Sequence, residues 1–170
     1  MKRILVVVDM QKDFIDGSLG TREAVKILDG VRELVSSFKG KIYFTRDTHG
    51  EDYLSTREGK CLPVLHCIKG TEGWQIEQSL PTENAVIVDK PTFGSTELAE
   101  LLKNECGSES AEITLVGLCT DICVISNALL LKATLPECDI RVISSLCAGV
   151  SPESHLRALE SMRTCQITVV

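Results

Sequence analysis

The sequence predicts an α/β domain with three layers, in which helices cover both faces of a six-stranded, mostly parallel, doubly wound sheet. Two observations lead to this prediction: short β-branched runs alternate with helical patterns, and the runs are largely apolar without strict alternation. The chain has 170 residues, of which 44% are hydrophobic and 25% charged, enough to build one core. We therefore expect a single domain over residues 1–170.

Apolar runs mark the predicted strands, which are Arg3 to Val8, Lys41 to Thr45, Ala85 to Asp89, Glu112 to Val116, Asp139 to Ile143 and Gln166 to Val169. The clearest helix lies between Ala24 and Phe38, where apolar residues recur at spacings of three and four. Further helices are predicted to begin near Thr96, Asp121 and Ser151. Ser151 is a suitable N-cap because Pro152 follows at the first helical position.

Charge and hydropathy exclude several classes of protein. The net charge is -6 and no block of Lys or Arg occurs, which argues against binding to nucleic acid or to anionic membranes. The apolar run before Asp9 is too short for a signal sequence or a membrane span. We expect a cytoplasmic protein.

The chain contains eight cysteines, too few for its length to indicate a disulfide scaffold. Reduced thiols are the better interpretation. Four of them have no polar cluster around them and are predicted to be small buried hydrophobic residues, namely Cys106, Cys138, Cys147 and Cys165.

Ligands of open parallel sheets bind beyond the carboxyl ends of the strands, so residues at those ends are the first candidates for a site. These residues are Asp9, Asp47, Lys90 and the segment Leu118 to Cys123. The first predicted strand runs into DMQKDF rather than a glycine-rich turn, which argues against a dinucleotide site.

Cys123 is the candidate nucleophile. It lies where the fourth predicted strand turns into a helix, and free NH groups at a helix start favour a thiolate. Asp9 follows an apolar strand and is placed to accept the thiol proton. Lys90 would add a cation that lowers the thiol pKa or stabilises developing negative charge.

A long segment after the second strand, residues 45–74, shows no convincing helix or strand period and concentrates metal-ligating residues. Asp47 and His49 are two apart and share one side of an extended chain, while His66 closes the site from across the segment. Carboxylate and imidazole ligands suit Zn²⁺, Fe²⁺ or Mn²⁺.

Three motifs, DMQKDF, the lysine of VIVDKPTFG and GLCTDICV, together resemble the signatures of the isochorismatase-like cysteine hydrolases along essentially the whole chain. This resemblance implies a catalytic triad of Asp9, Lys90 and Cys123. It also implies a cis peptide bond before Cys119 and an oxyanion hole formed by the backbone NH groups of Cys119 and Cys123.

The metal segment resembles the nicotinamidase branch of that family, which implies metal ligation by Asp47, His49, His66 and, least firmly, Glu58. Phe14 matches a pocket aromatic of the family. Nicotinamidases often carry an aromatic residue before the proline of the His-Cys motif, where this chain has Leu62. We expect Phe14, Leu62 and Trp74 to line the substrate pocket.

The predicted activity is hydrolysis of a small amide, with nicotinamide as the first candidate and carbamoyl or ureido compounds of the same superfamily as alternatives. A thiol redox protein using Cys119 and Cys123 is disfavoured because their spacing is not the C-x-x-C motif. A metal-binding module without catalysis is disfavoured by the complete triad. The nearly all-apolar stretch ICVISNALLLKA predicts deep burial or a homo-oligomer interface.

Overall fold

The computed structural model describes residues 1–170 and contains one six-stranded sheet. Its strands are β1 (Lys2–Val8), β2 (Lys41–Asp47), β3 (Val86–Lys90), β4 (Ala111–Leu118), β5 (Asp139–Ala148) and β6 (Thr168–Val169). Every neighbouring pair is parallel, and the strand order is β3-β2-β1-β4-β5-β6. The sheet grows outward from β1 in one direction and from β4 in the other, which confirms the predicted doubly wound topology.

Helices cover both faces of this sheet. They are α1 (Lys12–Ile15), α2 (Arg22–Ser37), α3 (Arg57–Cys61), α4 (Thr96–Cys106), α5 (Ile125–Thr134) and α6 (Pro152–Thr164). The apolar stripe of α2 packs on one face, whereas α4, α5 and α6 pack on the other. None of the helices is long and apolar enough to cross a lipid bilayer.

The segment between Thr45 and Trp74 is more regular than the sequence pattern predicts. It contains a 3₁₀ turn at Tyr53–Ser55 followed by α3, whose N-cap Thr56 accepts a hydrogen bond from the NH of Gly59 at 3.0 Å. Both elements are too short to produce a hydrophobic period, so the sequence pattern cannot reveal them.

Two further expectations need correction or refinement. Cys165 is exposed at the C-cap of α6, although Cys106, Cys138 and Cys147 are buried as predicted. The apolar character of α5 is largely explained within the chain, because α5 contacts both α4 and α6. Its composition therefore carries less weight for an oligomer interface than the sequence alone suggests.

The centre of the sheet brings two strand ends unusually close together. Gly117 in β4 pairs with Val8 in β1, has a φ of 114°, and would place any Cβ against the Val8 carbonyl oxygen. Only glycine fits this position. The chain leaving β1 and the chain leaving β4 consequently emerge side by side at the switch point of the sheet, where ligands bind in such folds.

Candidate active site

The structure brings Asp9, Lys90 and Cys123 together at this switch point. Asp9 directly follows β1, Lys90 is the last residue of β3, and Cys123 lies in a π-helical turn, Thr120–Val124, that precedes α5. The Lys90 Nζ lies 2.7 Å from Asp9 Oδ2 and 3.4 Å from Cys123 Sγ. All three side chains are buried. They therefore form a contiguous acid, cation and thiol group.

The carboxylate of Asp9 is held with one oxygen available for chemistry. Oδ1 accepts a hydrogen bond from the Thr45 hydroxyl at 2.6 Å, and the Asp9 NH donates to the Thr45 carbonyl at 3.2 Å. Oδ2 makes the ion pair with Lys90 but receives no hydrogen bond of good geometry. Burial raises the pKa of Asp9, and the Lys90 charge opposes that shift. Oδ2 is thus the oxygen that can receive a proton.

The surroundings of Cys123 oppose the thiolate that a helix start was expected to favour. Burial and then the Asp9 carboxylate raise its pKa well above the usual value, although the Lys90 charge acts in the other direction. Cys123 lies in the π-helical turn before α5 and is buried there, so the charged form of its thiol loses solvation. Burial and the nearby carboxylate therefore both favour the protonated thiol.

Lys90 stays charged despite its burial. Burial alone would lower its pKa, but the Asp9 carboxylate, with Cys123 and Asp47 beside it, outweighs that effect and raises it. The ammonium also lies 3.4 Å from Asp47 Oδ1 and donates to the Thr92 carbonyl at 3.1 Å. A permanent cation beside the sulfur favours the thiolate once the proton has left.

The backbone before the nucleophile has the form that the family resemblance implies. The Leu118–Cys119 peptide bond is cis. The Cys119 carbonyl accepts hydrogen bonds from the NH groups of Ile122 and Val124 at 3.1 and 3.0 Å. The Cys119 NH, which lies outside the strands and helices, donates no hydrogen bond within the chain. This NH is therefore a candidate donor to a developing oxyanion.

The four residues predicted as metal ligands converge on one point. One ligand atom from each of Asp47, His49, Glu58 and His66 lies within 4.8 Å of all the others. His49 Nε2 is 3.0 Å from Asp47 Oδ2 and 3.6 Å from Glu58 Oε1. His66 Nε2 is 3.6 Å from Asp47 Oδ2 and 3.9 Å from Glu58 Oε1. Two imidazoles and two carboxylates facing one point fit a divalent transition metal.

Surrounding contacts orient these ligands. The Nδ1 of His66 lies 2.8 Å from the Val64 carbonyl, so this nitrogen is the donor and Nε2 presents its lone pair to the cluster. Burial would raise the pKa of Asp47, but hydrogen bonds from His49 and His66 together with the Lys90 charge lower it below the usual range. The ionised form of Asp47 is therefore favoured, and this candidate ligand also lies 3.4 Å from Lys90 Nζ.

A cavity of 330 Å³ connects the candidate metal ligands to the Cys123 thiol. Its walls are mainly apolar and consist of Phe14, Leu19, Thr21, Asp47, Glu58, Cys61, Leu62, His66, Phe93, Cys119, Ile122, Cys123 and Val150. Ligand pockets usually have volumes of about 300–1,000 Å³, so this cavity suits a small molecule. A separate cavity of 360 Å³ between α2, β5 and α6 contains none of the predicted catalytic residues.

Two of the three predicted pocket residues line this cavity, and Trp74 does not. Phe14 and Leu62 are wall residues. The Trp74 ring instead lies 3.5 Å from the Arg46 guanidinium, and its Nε1 donates to the Thr48 hydroxyl at 2.9 Å. The placement of Trp74 in the pocket is therefore wrong, because its cation and hydrogen-bond partners lie on β2 and just beyond it.

The comparison with family models gives one decisive match. The model described as the isochorismatase domain matches residues 3–170. The chain belongs to the isochorismatase family. This result confirms the family that the three sequence motifs predict.

Individual isochorismatase-family relatives are similar over their full length. The nicotinamidase/pyrazinamidase of Mycobacterium tuberculosis is 28% identical over 187 residues, covering 99% of this chain and 98% of that protein. A pyrazinamidase of Pyrococcus horikoshii in complex with zinc is 32% identical, with a TM-score of 0.86 and coverage of 100% and 99%. A nicotinamidase/pyrazinamidase of Bacillus subtilis is 27% identical, with a TM-score of 0.84 and coverage of 100% of both chains.

Sequence reasoning missed several residues that hold this isochorismatase-family site. Gln11 is fully buried; its side chain accepts from the Asp47 NH at 2.7 Å and donates to the Asp47 and Trp74 carbonyls at 2.8 Å. The buried Tyr53 ring lies 4.6 Å from that of His49 and 4.9 Å from that of His66. Gln11 stands inside DMQKDF, so its position in a motif was the available signal. Tyr53 gave none.

Proposed function

We propose that this chain is a metal-dependent nicotinamidase, which hydrolyses nicotinamide to nicotinate and ammonia through a thioester on Cys123. The observation that carries the proposal is the single small cavity that joins the acid–lysine–thiol group to the cluster of two histidines and two carboxylates. A flat heteroaromatic amide fits between apolar walls with its amide at the sulfur and its ring nitrogen toward the cluster. The relatives from Mycobacterium tuberculosis and Bacillus subtilis are named nicotinamidase/pyrazinamidase, which supports this substrate, and the Pyrococcus horikoshii relative is named a pyrazinamidase.

The first chemical step forms the acyl-enzyme. Asp9 Oδ2 takes the proton of the Cys123 thiol, and the sulfur attacks the amide carbon. The negative charge on the carbonyl oxygen is stabilised by the NH groups of Cys119 and Cys123. Asp9 returns the proton to the nitrogen as the carbon–nitrogen bond breaks and ammonia leaves. Lys90 remains protonated throughout and stabilises both the thiolate and the Asp9 carboxylate.

The second step regenerates the thiol. Asp9 accepts a proton from a water molecule, whose oxygen attacks the thioester carbon and again places negative charge on the carbonyl oxygen. The carbon–sulfur bond then breaks, the acid is released, and the proton on Asp9 returns to Cys123. Phe14 and the other apolar wall residues exclude bulk water from the ring and orient it.

Asp47, His49, Glu58 and His66 would hold the cation, and zinc, iron or manganese all suit this ligand set. When bound, such a cation supplies a Lewis acid that can orient a ring nitrogen and polarise a water molecule. The zinc in the complex of the Pyrococcus horikoshii relative favours zinc.

The quaternary state and the compartment belong to the same proposal. All eight cysteines are free, which suits a reducing cytoplasm. Several apolar side chains are exposed on this side of the chain: Leu62 and Phe93 line the cavity, and Leu54 and Leu65 lie in the segment between β2 and β3. We propose that the protein is cytoplasmic and forms a homo-oligomer. Light scattering coupled to size-exclusion chromatography tests the oligomer: a monomeric mass at micromolar concentration would refute it.

Ammonia release from nicotinamide tests the proposed function. The purified chain, the chelator-treated chain with and without added Zn²⁺, and Cys123→Ala are assayed with nicotinamide and a panel of carbamoyl and ureido compounds. We expect release from nicotinamide that needs both the metal and Cys123. Release from a ureido or carbamoyl compound alone would replace the substrate while keeping the hydrolase, and no release from any amide by the metal-loaded chain would refute catalysis.

A further inference from the structure

Asn127 in α5 is a buried amide that the reaction scheme does not use. Only 1% of its surface is exposed. Its Oδ1 accepts a hydrogen bond from the Ser95 NH at 2.9 Å, and its Nδ2 donates to the Cys123 carbonyl at 2.8 Å and to the Phe93 carbonyl at 3.1 Å. A single side chain therefore binds three backbone groups outside its own residue.

These bonds join two segments of the candidate site. One partner is the carbonyl of the nucleophile itself. The others, Phe93 and Ser95, belong to the short segment after β3 that also offers the Thr92 carbonyl to Lys90 Nζ at 3.1 Å. The Phe93 side chain lines the cavity. One amide is thus hydrogen-bonded both to the nucleophile's backbone and to the segment that contacts the lysine.

We propose that Asn127 is a positioning residue that sets the 3.4 Å separation between Cys123 Sγ and Lys90 Nζ and holds Phe93 against the substrate. The part of this inference that concerns Phe93 and the substrate rests on the proposed function. The part that concerns the distance between the thiol and the lysine does not. Asparagine suits the task because its amide both donates twice and accepts. Leucine has a similar size but makes no hydrogen bond, while serine has a single hydroxyl donor.

The two roles predict a defined kinetic pattern for Asn127→Leu. Displacement of the nucleophile lowers kcat by roughly ten- to a hundredfold, and a looser Phe93 raises KM. The rate of alkylation of Cys123 by iodoacetamide falls several-fold, because a more distant cation stabilises the thiolate less. Peptide mapping assigns the alkylated residue, since all eight cysteines are free thiols. The kcat, KM and alkylation rate of Asn127→Ser should lie between those of the wild type and those of Asn127→Leu.

Leu131→Val provides the matched control, because Leu131 lies one turn further along α5 and is buried in the core away from the cavity. This variant should unfold at a lower temperature but keep the wild-type kcat, KM and alkylation rate. A general loosening of the structure around Cys123 would expose the thiol and speed its alkylation. Loss of the position of Cys123 beside Lys90 would slow alkylation, so the two effects have opposite signs.

The inference is overturned if Asn127→Leu loses stability like Leu131→Val but alkylates at the wild-type rate or faster. If Asn127→Leu does not fold, the same comparison with Asn127→Ser decides. If no protein hydrolyses nicotinamide and alkylation of the Asn127 variants is still slower, positioning stands and the proposed substrate fails.

Discussion

Asp9 Oδ2 and Lys90 Nζ lie 2.7 Å apart, and both side chains are completely buried. Such a pair is costly to break, because removing one partner leaves the other charge without compensation in a poorly solvated interior. The same pair also acts on Cys123: burial is the main cause of its raised thiol pKa, the Asp9 carboxylate adds to that shift, and Lys90 opposes it. Stability and reactivity are therefore linked at this pair.

Replacing the lysine should destabilise the fold as well as stop turnover. Lys90→Met leaves a buried carboxylate, and we expect a loss of about 3–5 kcal/mol in the free energy of unfolding by urea. Asp9→Asn/Lys90→Met, which removes both charges, should recover most of that stability but no activity. Arg141→Met is the control. It removes a partly exposed ion-pairing residue and should leave the midpoint of urea unfolding nearly unchanged. Equal stability of Lys90→Met and the wild type would contradict this account.

Removing the Asp9 charge should make the thiol more acidic. Because burial and the Asp9 carboxylate both raise the pKa of Cys123, Asp9→Asn lowers it, and a larger thiolate fraction forms at a given pH. The rate of alkylation of Cys123 rises with pH as the thiolate forms. In this variant the midpoint of that rise should lie at a lower pH than in the wild type. Turnover should nevertheless fall at least a hundredfold, because no base remains. A shift of the alkylation profile to higher pH would be the opposite result.

The ligands of the metal cluster should not be equivalent. His66→Ala removes a buried imidazole with an oriented Nε2, so metal content measured after dialysis should fall to background. Glu58→Gln alters the ligand with the more exposed side chain and should weaken metal retention less than His66→Ala. Full metal retention by His66→Ala would show that the ion binds elsewhere.

Phe14 and Trp74 should behave differently despite their similar chemistry. Phe14→Ala opens the cavity wall and should raise KM for nicotinamide about tenfold or more. Trp74→Phe loses the hydrogen bond to Thr48 and should cost about 1 kcal/mol of stability with an unchanged KM. Steady-state kinetics and thermal unfolding of both variants check this contrast, and a large KM effect from Trp74→Phe would place the ring in the pocket after all.

Most of the fold could be read from the sequence because parallel buried strands are continuous apolar runs. The pattern failed where polar residues continue a strand, as in β5, which runs on through Ser144 and Ser145 to Ala148. It also failed where elements are too short to show a period, as in α3. Strand order could not be predicted, since it depends on contacts between runs rather than on any single run.

Some residues of the candidate site could likewise be predicted from the sequence, and others could not. Residues whose own functional groups would act in the proposed chemistry, such as Cys123 and His49, were found from motifs and from their places after strands. Residues that act by holding others were missed, because their role depends on tertiary contacts. Asn127 did leave a signal: it is the lone amide in an apolar helix, and a buried amide must find hydrogen-bond partners.

The most direct test of the account is to trap the acyl-enzyme on Cys123. The metal-loaded chain is mixed with nicotinamide, quenched in acid within one turnover, digested and examined by mass spectrometry. We predict a nicotinoyl group on the peptide that contains Cys123, lost on prolonged incubation and absent from Cys123→Ala. Ammonia release by Cys123→Ala at the wild-type rate, with no acylated peptide in either protein, would contradict the account.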